Sequence, residues 1–139
     1  MMEARGSKKV SVSALDDKMQ TTILLTITIF GTLLPSQFIY PGKTDRCLPQ
    51  DVVFSDHLDV TQTDSHWSKE ESMICYVDNV IIPYENKTHD RLPVAQCNQQ
   101  AVAIFDVFRA HESTKMLTKL KDSGITPLCL PLVQTNFNH

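Results

Sequence analysis

The 139-residue chain is predicted to be an α/β domain, a mixed sheet with flanking helices. Three observations predict it: an alternating apolar stretch with a returning strand near the start, an amphipathic helical pattern in the middle, and a strand–helix–strand pattern toward the end.

The first stretch, Thr21 to Leu34, is the most hydrophobic in the chain. Its 14 residues fall short of the roughly 20 that a membrane span needs. Ile23, Leu25, Ile27 and Ile29 alternate with Leu24, Thr26, Thr28 and Phe30, the period of a strand, and a core strand is expected. Gly31 to Ser36 read as a turn, and Gln37 to Tyr40 as a returning strand closed by Pro41-Gly42, so an antiparallel hairpin makes the sheet mixed. Upstream, Val10, Val12 and Ala14 alternate with polar residues. Lys9 to Leu15 is expected to pair with the Thr21 strand in a hairpin turning at Asp16-Asp17.

Lys43 to His66 shows little periodicity and reads as a long surface connection. A helix is then expected from Ser68, which with Glu71 forms a capping box, while Glu70 adds charge suited to a helix start. Met73, Val77, Val80, Ile81 and Tyr84 line one face, and Pro83 interrupts or kinks the last turns. From Ala101 to Phe105 an apolar run reads as a buried strand. Met116, Leu117 and Leu120 mark a helix face between about Glu112 and Ser123, stopped by Lys119, Lys121 and Gly124. Ile125 to Leu130 is a second strand, which completes a βαβ unit with a right-handed crossover.

A net charge of −3 gives no global attraction to nucleic acid, although Arg5, Lys8 and Lys9 form a small basic cluster. Cys47, Cys75, Cys97 and Cys129 lie far apart without a Cys-x-x-Cys pair, which argues against a zinc ribbon or a disulfide framework. Reduced, partly buried thiols in a reducing compartment are expected. Asn86-Lys-Thr88 matches a glycosylation sequon, a tripeptide common by chance that matters only in a secreted chain. A nuclear or cytoplasmic location is expected, with no signal peptide and no transmembrane span.

Asp106 ends the Ala101 run, where open α/β sheets place ligands and metals. An aspartate there also serves as a turn former or helix cap. His111 follows closely enough to face the same pocket. His57 between Asp56 and Asp59, and His66 after Asp64, make a loop metal site conceivable, but their spacing matches no ligand pattern and solvated loop residues are the expectation.

The order hairpin, long helix, strand ending in Asp, helix, strand is that of a ribonuclease H-like fold. Asp16-Asp17-Lys18 with Gln20-Thr21, Gly31, Ile39-Tyr40, Gly42-Lys43-Thr44, Arg46-Cys47, His66-Trp67-Ser68, Glu70-Glu71, Ile82-Pro83-Tyr84 and Ile104-Phe105-Asp106 carry a closer likeness. Together they resemble the DDE superfamily endonuclease domain of pogo, Tigger and jerky-like transposases, from Gly6 to about Pro131. The resemblance implies a partial DDE domain over residues 1–131, truncated at both ends, followed by a divergent tail over 132–139. It also implies three acids holding two Mg²⁺ or Mn²⁺ ions that activate water or a DNA 3′-hydroxyl for attack on a phosphodiester.

Within that resemblance Asp106 matches the second acid, a catalytic and metal-ligating position. The motifs for the first and third acids find no match, and Asp16 and Asp17 match a different family motif. A catalytically inactive, transposase-derived fragment is therefore expected, with Mg²⁺ binding in doubt and DNA contact weak at best. The alternatives are a residual divalent-metal-dependent nuclease or strand-transfer enzyme, a non-catalytic protein-interaction module, and an unrelated α/β binding domain. The missing first strand would lie mid-sheet between the hairpin and the Ala101 strand, which predicts unpaired edges that a replacement strand, a protein partner or an oligomer would cover.

Overall fold

Two small sheets share one hydrophobic core in the computed structural model, which describes residues 20–96, 98–106 and 109–130. The first sheet has the order β1–β2–β3, built from β1 (Thr22–Leu24), β2 (Ser36–Pro41) and β3 (Leu58–Thr63). β1 runs antiparallel to β2, with Ile23 opposite Phe38, and β3 runs parallel to β2, with Asp59 opposite Gln37. The second sheet pairs β4 (Ala101–Phe105) in parallel with β5 (Ile125–Cys129), Ala101 facing Ile125 and Phe105 facing Cys129. The chain is thus mixed α/β.

Side chains opposite one another across a ladder share a face. On the inner face Gln37 and Ile39 are fully buried and Leu24 packs into the core; on the other sheet Ala101, Ala103, Phe105 and Ile125 do the same. The helices that cover this face are α1 (Glu70–Tyr76), α2 (Ile82–His89) and α3 (Thr114–Asp122). Met73 and Val77 meet Phe105, Met116, Leu120 and Ile125, while Tyr76 and Val80 meet Leu34 in a smaller cluster, and Leu24 touches both groups. The outer face is different: Ile23, Val102, Ile104 and Leu128 are about half exposed or more. Parallel strands are ordinarily covered on both faces, so this bare apolar surface is unusual.

α1 and α2 are one continuous helical run joined by a wide π turn over Val77–Ile81, in which the Ile82 N–H reaches back to the Val77 carbonyl. Pro83 has no N–H to donate, and it follows directly on the wide segment. α3 starts at Ser113, whose Oγ accepts from the Met116 N–H at 3.4 Å, and stops before Gly124, whose φ of 77° suits a residue without Cβ. The βαβ unit and its boundaries match the expectation from sequence.

Other expectations change. The sheet expected to lack its middle strand is, among the described residues, two separate sheets. Thr21 to Leu34 is not a core strand: only Thr22–Leu24 pair as β1, and Leu25, Ile27, Ile29 and Phe30 are exposed around a tight turn closed by hydrogen bonds from Gly31 N–H to Thr28 O and from Thr28 N–H to Thr32 O. The alternation was real, but its isoleucine side faces outward.

The connection from Lys43 to His66 conceals β3, whose inward polar residue is balanced by hydrogen bonds rather than by apolar contacts. The helix begins at Glu70, one turn position later than Ser68 implied: Lys69 is its N-cap, and the Lys69 N–H is accepted by Ser72 Oγ at 2.9 Å. Cys47, Cys75 and Cys129 are free thiols but exposed. Lys9 to Leu15, the basic cluster at Arg5, Lys8 and Lys9, Asp16, Asp17 and the tail over 132–139 lie outside the described residues.

Glu70 braces the helices. Its Oε2 accepts from Ser113 Oγ and its Oε1 lies 2.8 Å from Lys115 Nζ, tying α1 to the start of α3. These donors, Lys115 foremost, hold the Glu70 carboxyl below its ordinary range, and the Glu70 charge raises Lys115 in turn. A depressed carboxyl contributes stability above its unfolded-state pKa of about 4.3 and loses it as pH falls through the lower folded value. Urea midpoints measured from pH 7 down to pH 3 should therefore fall less steeply for Glu70→Gln than for the wild type. Met73→Ala should cost about 2–5 kcal/mol in urea unfolding. Ile29→Ala, at a residue 95% exposed, should stay within about 0.5 kcal/mol of the wild type.

Candidate functional site at the end of β4

Asp106 follows the last residue of β4, and the ladder holds up to that point because the Leu130 N–H donates to the Phe105 carbonyl at 2.9 Å. Its side chain is 79% exposed at the carboxyl end of the parallel pair. A short 3₁₀ turn over Arg109–Glu112 then folds back, anchored by the buried Ala110. It delivers His111 to Asp106. The imidazole is only 6% exposed, its Nδ1 lies 2.6 Å from Asp106 Oδ1 and 3.3 Å from the Asp106 backbone carbonyl, and its ring sits 5.6 Å from that of Phe105.

His111 contacts Asp106, as its nearness in sequence suggested. A carboxylate beside an imidazole can orient the ring, exchange a proton with it, or ligate a cation jointly with it. It does not fit the two-ion clamp that the sequence resemblance implies. That clamp needs carboxylates from separate elements, and among the described residues one oxygen of Asp106 is taken by His111. Among the described residues no three His, Cys, Asp or Glu side chains converge as an ion site.

The loop histidines do not join this site. Asp59 belongs to β3, where Gln37 Nε2 donates to its Oδ2 at 2.7 Å and Asn79 Nδ2 to its Oδ1 at 3.3 Å. Asp64 pairs with Lys69, which holds its carboxyl below the usual range. His66 takes a positive φ of 56° in the turn before α1, with its ring 5.0 Å from Trp67. His57 contributes its backbone carbonyl, which accepts from the Ser36 N–H.

Sequence reasoning missed a buried polar group on the inner face. Gln37 is fully buried, and its Nε2 also donates to the Ser72 carbonyl at 3.0 Å, so one amide joins β2, β3 and α1. Tyr76 Oη lies 2.8 Å from the Pro35 carbonyl and 3.0 Å from Thr26 Oγ1, and burial pushes its pKa above the usual value. The only signal in the sequence was a glutamine opening an otherwise apolar strand.

Compared with protein-family models, with curated proteins and with solved structures, the chain matches none. No helix among the described residues is long and apolar enough to cross a membrane.

The burial contrast across the Asp106–His111 pair sets its energetics, since exposed ion pairs contribute little and buried rings contribute packing. Asp106→Asn should shift the urea unfolding free energy by less than about 1 kcal/mol. His111→Ala, which empties a space against Phe105, should cost about 1–3 kcal/mol in the same measurement.

Proposed function

We propose that this chain is a transposase-derived DDE endonuclease domain fragment, ribonuclease H-like by ancestry, that no longer catalyses strand cleavage. Its relation to nucleic acid is one of descent, and any contact with DNA is weak. The βαβ unit with an acid at the carboxyl end of β4 supports the ancestry, because open α/β sheets carry their ligands at that end.

The observation that carries the loss of catalysis is the 2.6 Å contact between His111 Nδ1 and Asp106 Oδ1. In a two-ion site that oxygen would face a divalent cation. A neighbouring imidazole N–H instead satisfies the carboxylate without metal, and among the described residues no three acids or other ligand side chains converge to share two ions with it. The net charge of −3 further weakens attraction to a phosphate backbone.

The decisive measurement is conversion of supercoiled plasmid to nicked circle in Mg²⁺ or Mn²⁺, with wild type and Asp106→Ala side by side. The two proteins are expected to be indistinguishable and close to the no-protein rate. Nicking by the wild type that disappears in Asp106→Ala would establish an active enzyme in place of the proposed remnant.

A further inference from the structure

We propose that the open edge of β3, with the cavity beside it, binds an extended peptide that adds as a fourth strand and sets a lysine or arginine side chain against Glu71. The inference rests on backbone direction and charge and is independent of the proposed function. At the two ends of the β2–β3 ladder the Ser36 N–H donates to the His57 carbonyl and the Gly42 N–H to the Thr63 carbonyl. In a parallel pair alternate residues turn their backbone groups to the same neighbour, so the odd-numbered residues of β3 bond to β2. The N–H and C=O of Val60 and Gln62 therefore point the other way, where no strand pairs with β3 among the described residues. Such a row of donors and acceptors is a template for an added strand.

The cavity identifies the side chain. It holds about 210 Å³ between Thr61, Gln62 and Thr63 of β3 and Lys69, Glu71 and Ser72 at the start of α1. Thr61 and Thr63 lie on the inner face of the ladder with Ile39, so an inward side chain of a fourth strand falls beside them, in this cavity. Most polar groups there are already committed. Thr63 Oγ1 donates to the Trp67 carbonyl, Ser72 Oγ donates to the Lys69 carbonyl and accepts from the Lys69 N–H, and Lys69 Nζ pairs with Asp64. Glu71 is the exception: its exposed carboxylate takes part in no hydrogen bond or ion pair among the described residues, and Lys115, which feels its charge, is paired with Glu70. A cationic side chain complements that charge and lays its apolar stem over the threonine methyls, whereas an acidic one meets a like charge.

Amide NMR on the isotope-labelled full chain tests the proposal, with the capped peptide Thr-Val-Thr-Lys-Thr-Val-Thr and analogues carrying Glu or Leu in place of Lys as probes. The Lys peptide should shift the Val60 and Gln62 amides and slow their exchange, and it should bind about fivefold tighter than the Leu analogue, with the Glu analogue weakest. Glu71→Gln should bring the Lys peptide down to the Leu analogue and leave the Leu analogue unchanged. Val60→Pro, which removes an N–H that β2 does not use, should keep the fold and bind none of the three. If Val60→Pro fails to fold, N-methylation of the peptide on the wild-type chain replaces it: blocking one alternate set of amides should abolish binding, and blocking the other set should not. Equal affinity for the Lys and Glu peptides, or no movement of Val60 and Gln62 at millimolar peptide, would overturn the proposal. So would slow exchange of the Val60 and Gln62 amides in the chain alone, because a segment of the chain itself or a second copy would then already hold the edge.

Discussion

Met73 and Val77, presented by one short stretch of helix, are the contact on which the arrangement depends. No backbone hydrogen bonds join the two sheets among the described residues, so their relative placement is set by side chains that both of them bury against the same few groups. Burial of that kind is strong but non-directional. Direction comes from the polar links that cross it: Gln37 fixes β2 and β3 to α1, and Glu70 fixes α1 to α3. The two acceptors of the Gln37 amide nitrogen offset part of the cost of burying that side chain, while its Oε1 is buried with no hydrogen-bond partner among the described residues.

The chain was most legible where neighbouring residues decide the outcome. The unit from Ala101 to Cys129 could be read because a short apolar run, a helix with clear start and stop signals, and a second apolar run each follow local rules. The antiparallel return at Gln37 was legible for the same reason. The nearness of Asp106 and His111 was also legible, since five residues leave the chain little room to separate them.

What sequence did not reveal depends on partners distant along the chain. β3 carries Asp59 inward, where its carboxylate accepts from the amides of Gln37, 22 residues earlier, and Asn79, 20 residues later. The isoleucines from Ile23 to Ile29 have the period of a strand, but period alone does not say which side meets the core, and Leu24 on the opposite parity is the residue that does. The capping box at Ser68 is a sound local motif that lost to Ser72, because Ser72 reaches the Lys69 backbone directly.

The wide turn between α1 and α2 has a consequence for how the sequence can change. Each residue of an α-helix advances the rotation by about 100°, so a turn that spends one residue more than usual resets the phase of everything after it. Before the turn, Met73 points to the larger cluster; at its last position Ile81 serves both clusters, and beyond it Tyr84 reaches the smaller one. A single-residue deletion between Val77 and Ile81 would leave a smoother helix and still turn the side chains beyond it away from their contacts. Length across those five positions is therefore more tightly constrained than the identity of the residues that fill them.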